Sequence, residues 1–429
     1  MKFTRTHFLR SLGAGAMGLL AASRLKASSS APHVDDVLPI FDASRAEEFW
    51  KRVRALYPIS EELAYFNCGG LGPSSRPVLD VYERSTRSLQ LRVDSGHASF
   101  DEARRTFAKF FGTDAEELCF TRNATESNSI IAAGIALRAG DEIIFESHAH
   151  PGGSLPWLNQ VKQRGAVVKT FEPATDSAAS NLERLARLIT TRTRVIQVSH
   201  VTAPTGVVMP VAAMAELARE KGIWFHIDGA QSAGMLPFDL HEIDCDSYAT
   251  SGHKWLGGPR ESGLLYIKKS RVEEIALSHL GAYSSENFDF TGKLEIVPGT
   301  RRHEYGTRNA ATVLALQEAA RFQESIGRQR IAERGLALAT QVHRGLEAIS
   351  GVQVLTPSRP ELRASMTTFK VKDVSSEKLF GHLLGKHKLR CRPVTEENLD
   401  ALRVSTHLFN TADECDRLVT AVAEFAKTA

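Results

Sequence analysis

At 429 residues, with 42% hydrophobic and 24% charged residues, the chain has an ordinary globular composition and is long enough for two structural domains rather than one core. Its formal net charge is only +3 and no block of like charge dominates, which argues against nucleic acid as a partner. Five scattered cysteines without CxxC spacing argue against a zinc knuckle or a dense disulfide framework.

Residues 1–27, "MKFTRTHFLRSLGAGAMGLLAASRLKA", have a basic start, a mildly apolar Gly/Ala-rich run and a small-residue end, the order of an export signal. The run from Ser11 to Ala22 is shorter than the about 20 apolar residues that span a bilayer, so no stable membrane insertion is expected. "TRTHFLR" resembles a twin-arginine (Tat) signal, with Thr6 where the second arginine belongs. Cleavage is expected near Ala27 and a periplasmic location follows, or a cytoplasmic one if the imperfect signal is not used. A short linker, "ASSSAP", opens the N-terminal segment 28–60.

A large, ligand-binding domain is expected over 61–308, where short β-rich runs alternate with amphipathic ones. "ELCFT", "DEIIFE", "AVVKTF", "TRVIQVSH", "GIWFHID" and "SGLLYIKK" are the strand candidates, with helical patterns such as "TESNSIIAAGIAL" and "VAAMAELAREKG" between several of them. This pattern predicts an α/β fold with a mostly parallel sheet covered on both faces and ligands at the carboxyl ends of its strands. From 309 to 429 the texture turns to long helices, short strands ("SMTTFKVK", "KLRCRP", "ALRVS") and a last helix, a smaller α+β C-terminal domain.

Asp228, ending "FHID", and Lys254, in "SGHKWLGG" one short strand later, suit pyridoxal 5'-phosphate. The lysine can form an imine with it, and the carboxylate can keep its pyridine nitrogen protonated. Asp228 alone could equally cap a following helix. "FTRNATESN" supplies a strand end and then Ala124 and Thr125 at a helix start, where backbone N–H groups and the helix dipole favour phosphate, and His253 could donate to the same group. "SHAHPGG" offers His148 and His150 without a third metal ligand, so no metal is assigned, and a ring here could stack on an aromatic cofactor instead.

Taken together, "IDGAQSAG" followed by "SGHKWLGGP" resembles the class V aminotransferase family of pyridoxal-phosphate enzymes, with its type I aminotransferase fold. "YFNCGGLGP", "HVTAPTG" and "GTRN" are similar to isopenicillin N epimerase-like members. The resemblance implies that Lys254 bonds the cofactor, Asp228 pairs with its ring nitrogen, Gln231 bonds its phenolic oxygen and His150 stacks on it. Ala124, Thr125 and His253 would hold the phosphate, and Thr307 would reach the phosphate of a neighbouring subunit, making a homodimer with a shared site. Arg403 would pair with the substrate's α-carboxylate and Asn67 would line the substrate side.

Cysteine desulfurases of the family usually carry asparagine at the position of Ala203 and a catalytic cysteine before the carboxylate-binding arginine; between "LRCRP" and Arg403 there is none. Cys391 reads as a small buried residue. The expected chemistry is proton removal at the α-carbon of an amino-acid substrate by Lys254, with His150 as the acid on the opposite face. Epimerisation is the leading reading. C–S (β) lyase chemistry and transamination are alternatives, and a non-enzymatic effector-binding module is disfavoured because no DNA-binding domain precedes the fold.

Overall fold

The computed structural model describes residues 3–4 and 38–427, and the expected export signal lies outside them apart from Phe3–Thr4. The N-terminal segment forms α1 (Ala46–Ala55), which buries Phe49, Trp50 and Val53. These side chains cluster with Phe322, Ile326, Leu408 and Phe409, so the segment packs against both later parts of the chain.

The large sheet has seven strands: β1 (Leu118–Thr121), β2 (Glu142–Glu146), β3 (Val167–Phe171), β4 (Thr193–Ser199), β5 (Trp224–Asp228), β6 (Ser247–Ser251) and β7 (Gly263–Ile267), in the order β1-β7-β6-β5-β4-β2-β3. All run parallel except β7, which is antiparallel to both its neighbours. Strands β2, β5 and β6 are buried along their whole length because both faces of the sheet are covered. Ile144, Ile196, Phe225 and Ile227 enter one core, whereas Ile143, Phe145, Val195 and Trp224 enter the other, the two-residue alternation of a strand. The two helices that matter most for the site, α2 (Ala124–Gly134) and α3 (Pro151–Arg164), start at the carboxyl ends of β1 and β2.

After β7 the long helix α4 (Ala310–Ile326) packs Ala310, Val313, Leu316 and Ala320 into the core of the large sheet, although the sequence places it past the domain boundary. The smaller C-terminal sheet is antiparallel and has four strands, β8 (Val352–Val354), β9 (Met366–Val371), β10 (Arg392–Val394) and β11 (Ala401–Ser405), in the order β8-β9-β11-β10. The expected strand "KLRCRP" is divided at Cys391. Leu389–Arg390 pairs parallel with Ala64–Tyr65, while Arg392 onward enters the small sheet. A bridge between Asn67 and Ser405 then ties the start of the large domain to the end of β11.

Candidate active site

The carboxyl ends of β1, β2, β5 and β6 surround a cavity of about 260 Å³, which β10 and β11 close from the other side. Of the residues expected there, Ala124, Thr125, His150, Asp228, Gln231, His253, Lys254 and Arg403 all line it. Arg392, Asn128, Ser251, Gly69 and Gly70 line it as well, without having been singled out from the sequence.

Asp228 caps no helix: the next helical turn, Leu240–Ile243, is capped by Asp239. Instead Oδ1 accepts from the Ala230 N–H at 3.0 Å and Oδ2 from Asn128 Nδ2 at 3.1 Å, which leaves a carboxylate fixed in orientation at the strand end. Burial pulls the Lys254 amine down to about 8, with Asp228 opposing the shift and Arg403 adding to it. An amine in that range is unprotonated in a useful fraction near neutral pH, which a nucleophile or base requires.

Asn123 caps α2 by accepting from the Glu126 N–H at 2.9 Å, and the Ala124 N–H is already donated to Ser251 Oγ at 3.0 Å. Thr125 stands exposed in the first turn. His150 caps α3, its Nδ1 accepting from the Gly152 N–H at 3.0 Å, so the neutral ring carries its proton on Nε2. Burial and the nearby Lys254 lower the His150 pKa. Two helix N-termini therefore converge on one cavity, a favourable setting for an anion. His253 Nδ1 is buried and unpartnered among the described residues, and burial holds that ring at about 4. Gln231 accepts from Trp255 Nε1 at 2.8 Å and donates to Gly69 O at 2.9 Å, so one of its amide hydrogens stays available.

His148 does not line the cavity; its Nδ1 lies 3.0 Å from Thr205 Oγ1. Thr307 does not line this cavity; it lines a second one of about 250 Å³ with Tyr305, Arg308 and Arg122.

Arg403 is 1% exposed, and no carboxylate forms an ion pair with it among the described residues. It donates to Ala203 O at 2.7 Å and, at 3.4 Å, to Asn67 Oδ1, which places Asn67 beside the guanidinium; Nε has no partner. Burial, then the neighbouring Arg392, bring the Arg403 pKa down to about 9. A buried cation without a counter-ion is costly, and an anionic ligand relieves that cost. Cys391 is buried, as expected, and the described cysteines are all buried and unbridged. Cys68 lies nearest the lysine, its Sγ 3.7 Å from Lys254 O, and burial pushes its thiol up.

These groups fit pyridoxal phosphate: an amine, a fixed carboxylate, helix N-termini with an orphaned imidazole nitrogen beside them, and a cavity of suitable scale. Arg392 and Asn128 escaped the sequence reading for different reasons. Asn128 stands one helical turn beyond Ala124, on the same face, a signal that was present. Arg392 reaches the site only through the strand break at Cys391.

A family profile, Aminotransferase class-V, matches residues 78–418. The chain is 29% identical to isopenicillin N epimerase of Amycolatopsis lactamdurans over 88% of this chain and 99% of that one. It is 30% identical to a probable cysteine desulfurase of Halobacterium salinarum over 87% and 95% of the two chains. Among solved structures it is similar to C-DES, a cystine C–S lyase, in a form with glycine covalently linked to its PLP cofactor, with a TM-score of 0.79 at 25% identity over 86% of this chain and 99% of that one. The chain therefore belongs to the class V aminotransferase family and is a pyridoxal-phosphate-dependent enzyme.

Proposed function

We propose that this enzyme binds an α-amino acid or amino-acid-derived substrate with Arg403 and exchanges the proton at its α-carbon, as an isopenicillin N epimerase-like epimerase. The observation that carries this reading is the buried, acid-free Arg403 guanidinium lining the same cavity as the Lys254 amine. In this reading Lys254 bonds the cofactor, Asp228 holds the ring nitrogen, and Gln231 donates its spare amide hydrogen to the phenolic oxygen. Thr125 and His253 hold the phosphate, with Thr307 contributed across a homodimer interface; the expected Ala124 N–H is engaged by Ser251 and is not counted among the donors.

When bound, pyridoxal phosphate supplies an aldehyde that condenses with amines and a protonated ring that draws electrons from the substrate's α-carbon. The Arg403 guanidinium orients the α-carboxylate through charge-assisted hydrogen bonds worth roughly 1.5–3 kcal/mol. Lys254, partly neutral because of its burial, takes the α-proton. His150 presents Nε2–H from a different strand end and is the proposed donor of the returning proton. Persulfide chemistry at sulfur requires a reachable thiolate, and every described cysteine is buried. A β-elimination needs no such thiol, and the similarity to a cystine C–S lyase makes it the second reading.

Incubation with a panel of L-amino acids in deuterated water separates the exits. Deuterium at the α-carbon with mixed enantiomers supports the epimerase. Pyruvate with ammonia identifies a β-lyase, and a keto acid with aminated cofactor a transaminase. Exchange at the wild-type rate in His150→Phe would remove His150 from the acid role.

A further inference from the structure

Two arginines share one wall of the cavity, and the proposed function uses only one of them. Arg392 and Arg403 are direct cross-strand partners in β10 and β11, so both side chains leave the same face of the small sheet, and both line the cavity that holds Lys254. Like charges directly opposite one another destabilise a sheet, and the two guanidinium groups repel. Glu396 relieves Arg392 in part by accepting from Nη2. The other arm is not relieved: Arg392 Nη1 is buried and unpartnered, as is Arg403 Nε. Among the charged groups that line the cavity, Asp228 is the one acid and it is engaged by Ala230 and Asn128, against the cations Lys254, Arg392 and Arg403. The phosphate-binding groups proposed above all lie on the large domain, so the small-domain wall keeps its excess positive charge for the substrate.

We propose that Arg392 is a specificity-determining residue that binds a second anionic group, carried on the substrate's side chain, so that the substrate class is the acidic amino acids. This rests on the reading of Arg403 as the α-carboxylate site. One anionic group occupies Arg403, and a second accepts from the free Nη1 arm of Arg392 while Glu396 keeps Nη2. The arrangement discriminates against neutral side chains of equal length, because these leave a buried cationic donor unsatisfied.

The test is equilibrium binding of non-reacting acids to the holoenzyme, read by the change in the cofactor's visible absorbance and by calorimetry. Succinate, glutarate and adipate are compared with butyrate, pentanoate and hexanoate in wild type, Arg392→Ala, Arg392→Gln and Arg403→Ala. At least one diacid should bind wild type about tenfold or more tightly than its matched monoacid, the scale of one charge-assisted hydrogen bond. Both Arg392 variants should bring the diacid to the level of the monoacid. Arg392→Gln keeps most of the side-chain volume if the alanine variant folds poorly. Equal diacid and monoacid affinity in wild type would overturn the proposal. Equal weakening of both acids in the Arg392 variants would overturn it too, making Arg392 a second hand on the same carboxylate. Unchanged monoacid binding in Arg403→Ala would instead remove the reading on which the proposal rests.

Discussion

Asn128 donates to Asp228 Oδ2 at 3.1 Å and is itself oriented by a donor, because its Oδ1 lies 2.8 Å from His226 Nε2. The polarity of this chain is set by the Asp228 carboxylate and the Gly152 carbonyl, which can only accept and so hold Asn128 with Nδ2 toward them and Oδ1 toward His226. On its other side His226 Nδ1 lies 2.8 Å from Ser247 Oγ, which also accepts from the Trp224 indole at 2.9 Å. His226 therefore carries its proton on Nε2, and burial lowers its pKa to about 4 so that it stays neutral. The amide of Asn128 is left facing Asp228 with N–H, the orientation that supports a carboxylate.

Asn128→Ala removes the donor and leaves Asp228 Oδ2 unsatisfied in a buried site. Its expected effect is a rise of about tenfold or more in the cofactor dissociation constant, the size of one hydrogen bond to a charged group. The pH dependence of the holoenzyme's visible absorbance should shift with it. A variant that binds cofactor as tightly as wild type with an unchanged spectral titration would show that Asn128 does not support Asp228.

The Lys254 amine, drawn down to about 8 by burial, sets a second expectation. Only the neutral amine attacks an aldehyde, so the rate at which apoenzyme takes up pyridoxal phosphate should climb from pH 6 through a midpoint at about pH 8 before it levels off. Arg403 contributes to the lowering, so Arg403→Gln should move that midpoint upward. Stopped-flow absorbance measures both, and a rate independent of pH across that range would contradict the assignment.

Acid stability should depend on Glu142 at the start of β2. Burial by itself would raise its pKa, but hydrogen bonds from Thr190, Lys169 and Arg192 outweigh that and hold it at about 2. A carboxyl whose folded pKa lies below its ordinary value of 4.5 stabilises the fold above that value, and the contribution is lost as pH falls toward 2. Thermal midpoints of wild type should therefore fall between about pH 4.5 and 2 more steeply than those of Glu142→Gln. Parallel curves for the two proteins would count against this account.

Gly72 is required by close approach rather than by its dihedrals. A Cβ there would stand 1.8 Å from the Lys254 carbonyl oxygen, while the Gly72 N–H donates to His253 O at 2.7 Å. Backbone cannot yield as a flexible side chain can, so Gly72→Ala should cost about 1–3 kcal/mol and displace the lysine, seen as a lower melting temperature and weaker cofactor retention. Gly381, in the helix Ser376–His387 and with open space at its Cβ, is the contrast: Gly381→Ala should stabilise by about 0.5–1 kcal/mol.

Strand and helix identities, the parallel character of the large sheet and the clustering of chemistry at its strand ends were legible in the sequence. These depend on two- and 3.6-residue periodicities and on the residue that follows each strand, all of which are local. Asp228 and Lys254 end or follow adjacent parallel strands, so their meeting in one cavity needed only the strand order. Tertiary structure alone decided the rest. The break at Cys391 sends two halves of one apparent strand to different sheets, and the register of β10 on β11 then sets Arg392 opposite Arg403. The line from Trp224 through Ser247, His226 and Asn128 to Asp228 joins strands to a helix roughly a hundred positions away. Register and such contacts are set by packing summed over segments distant in the chain, and no local pattern encodes that sum.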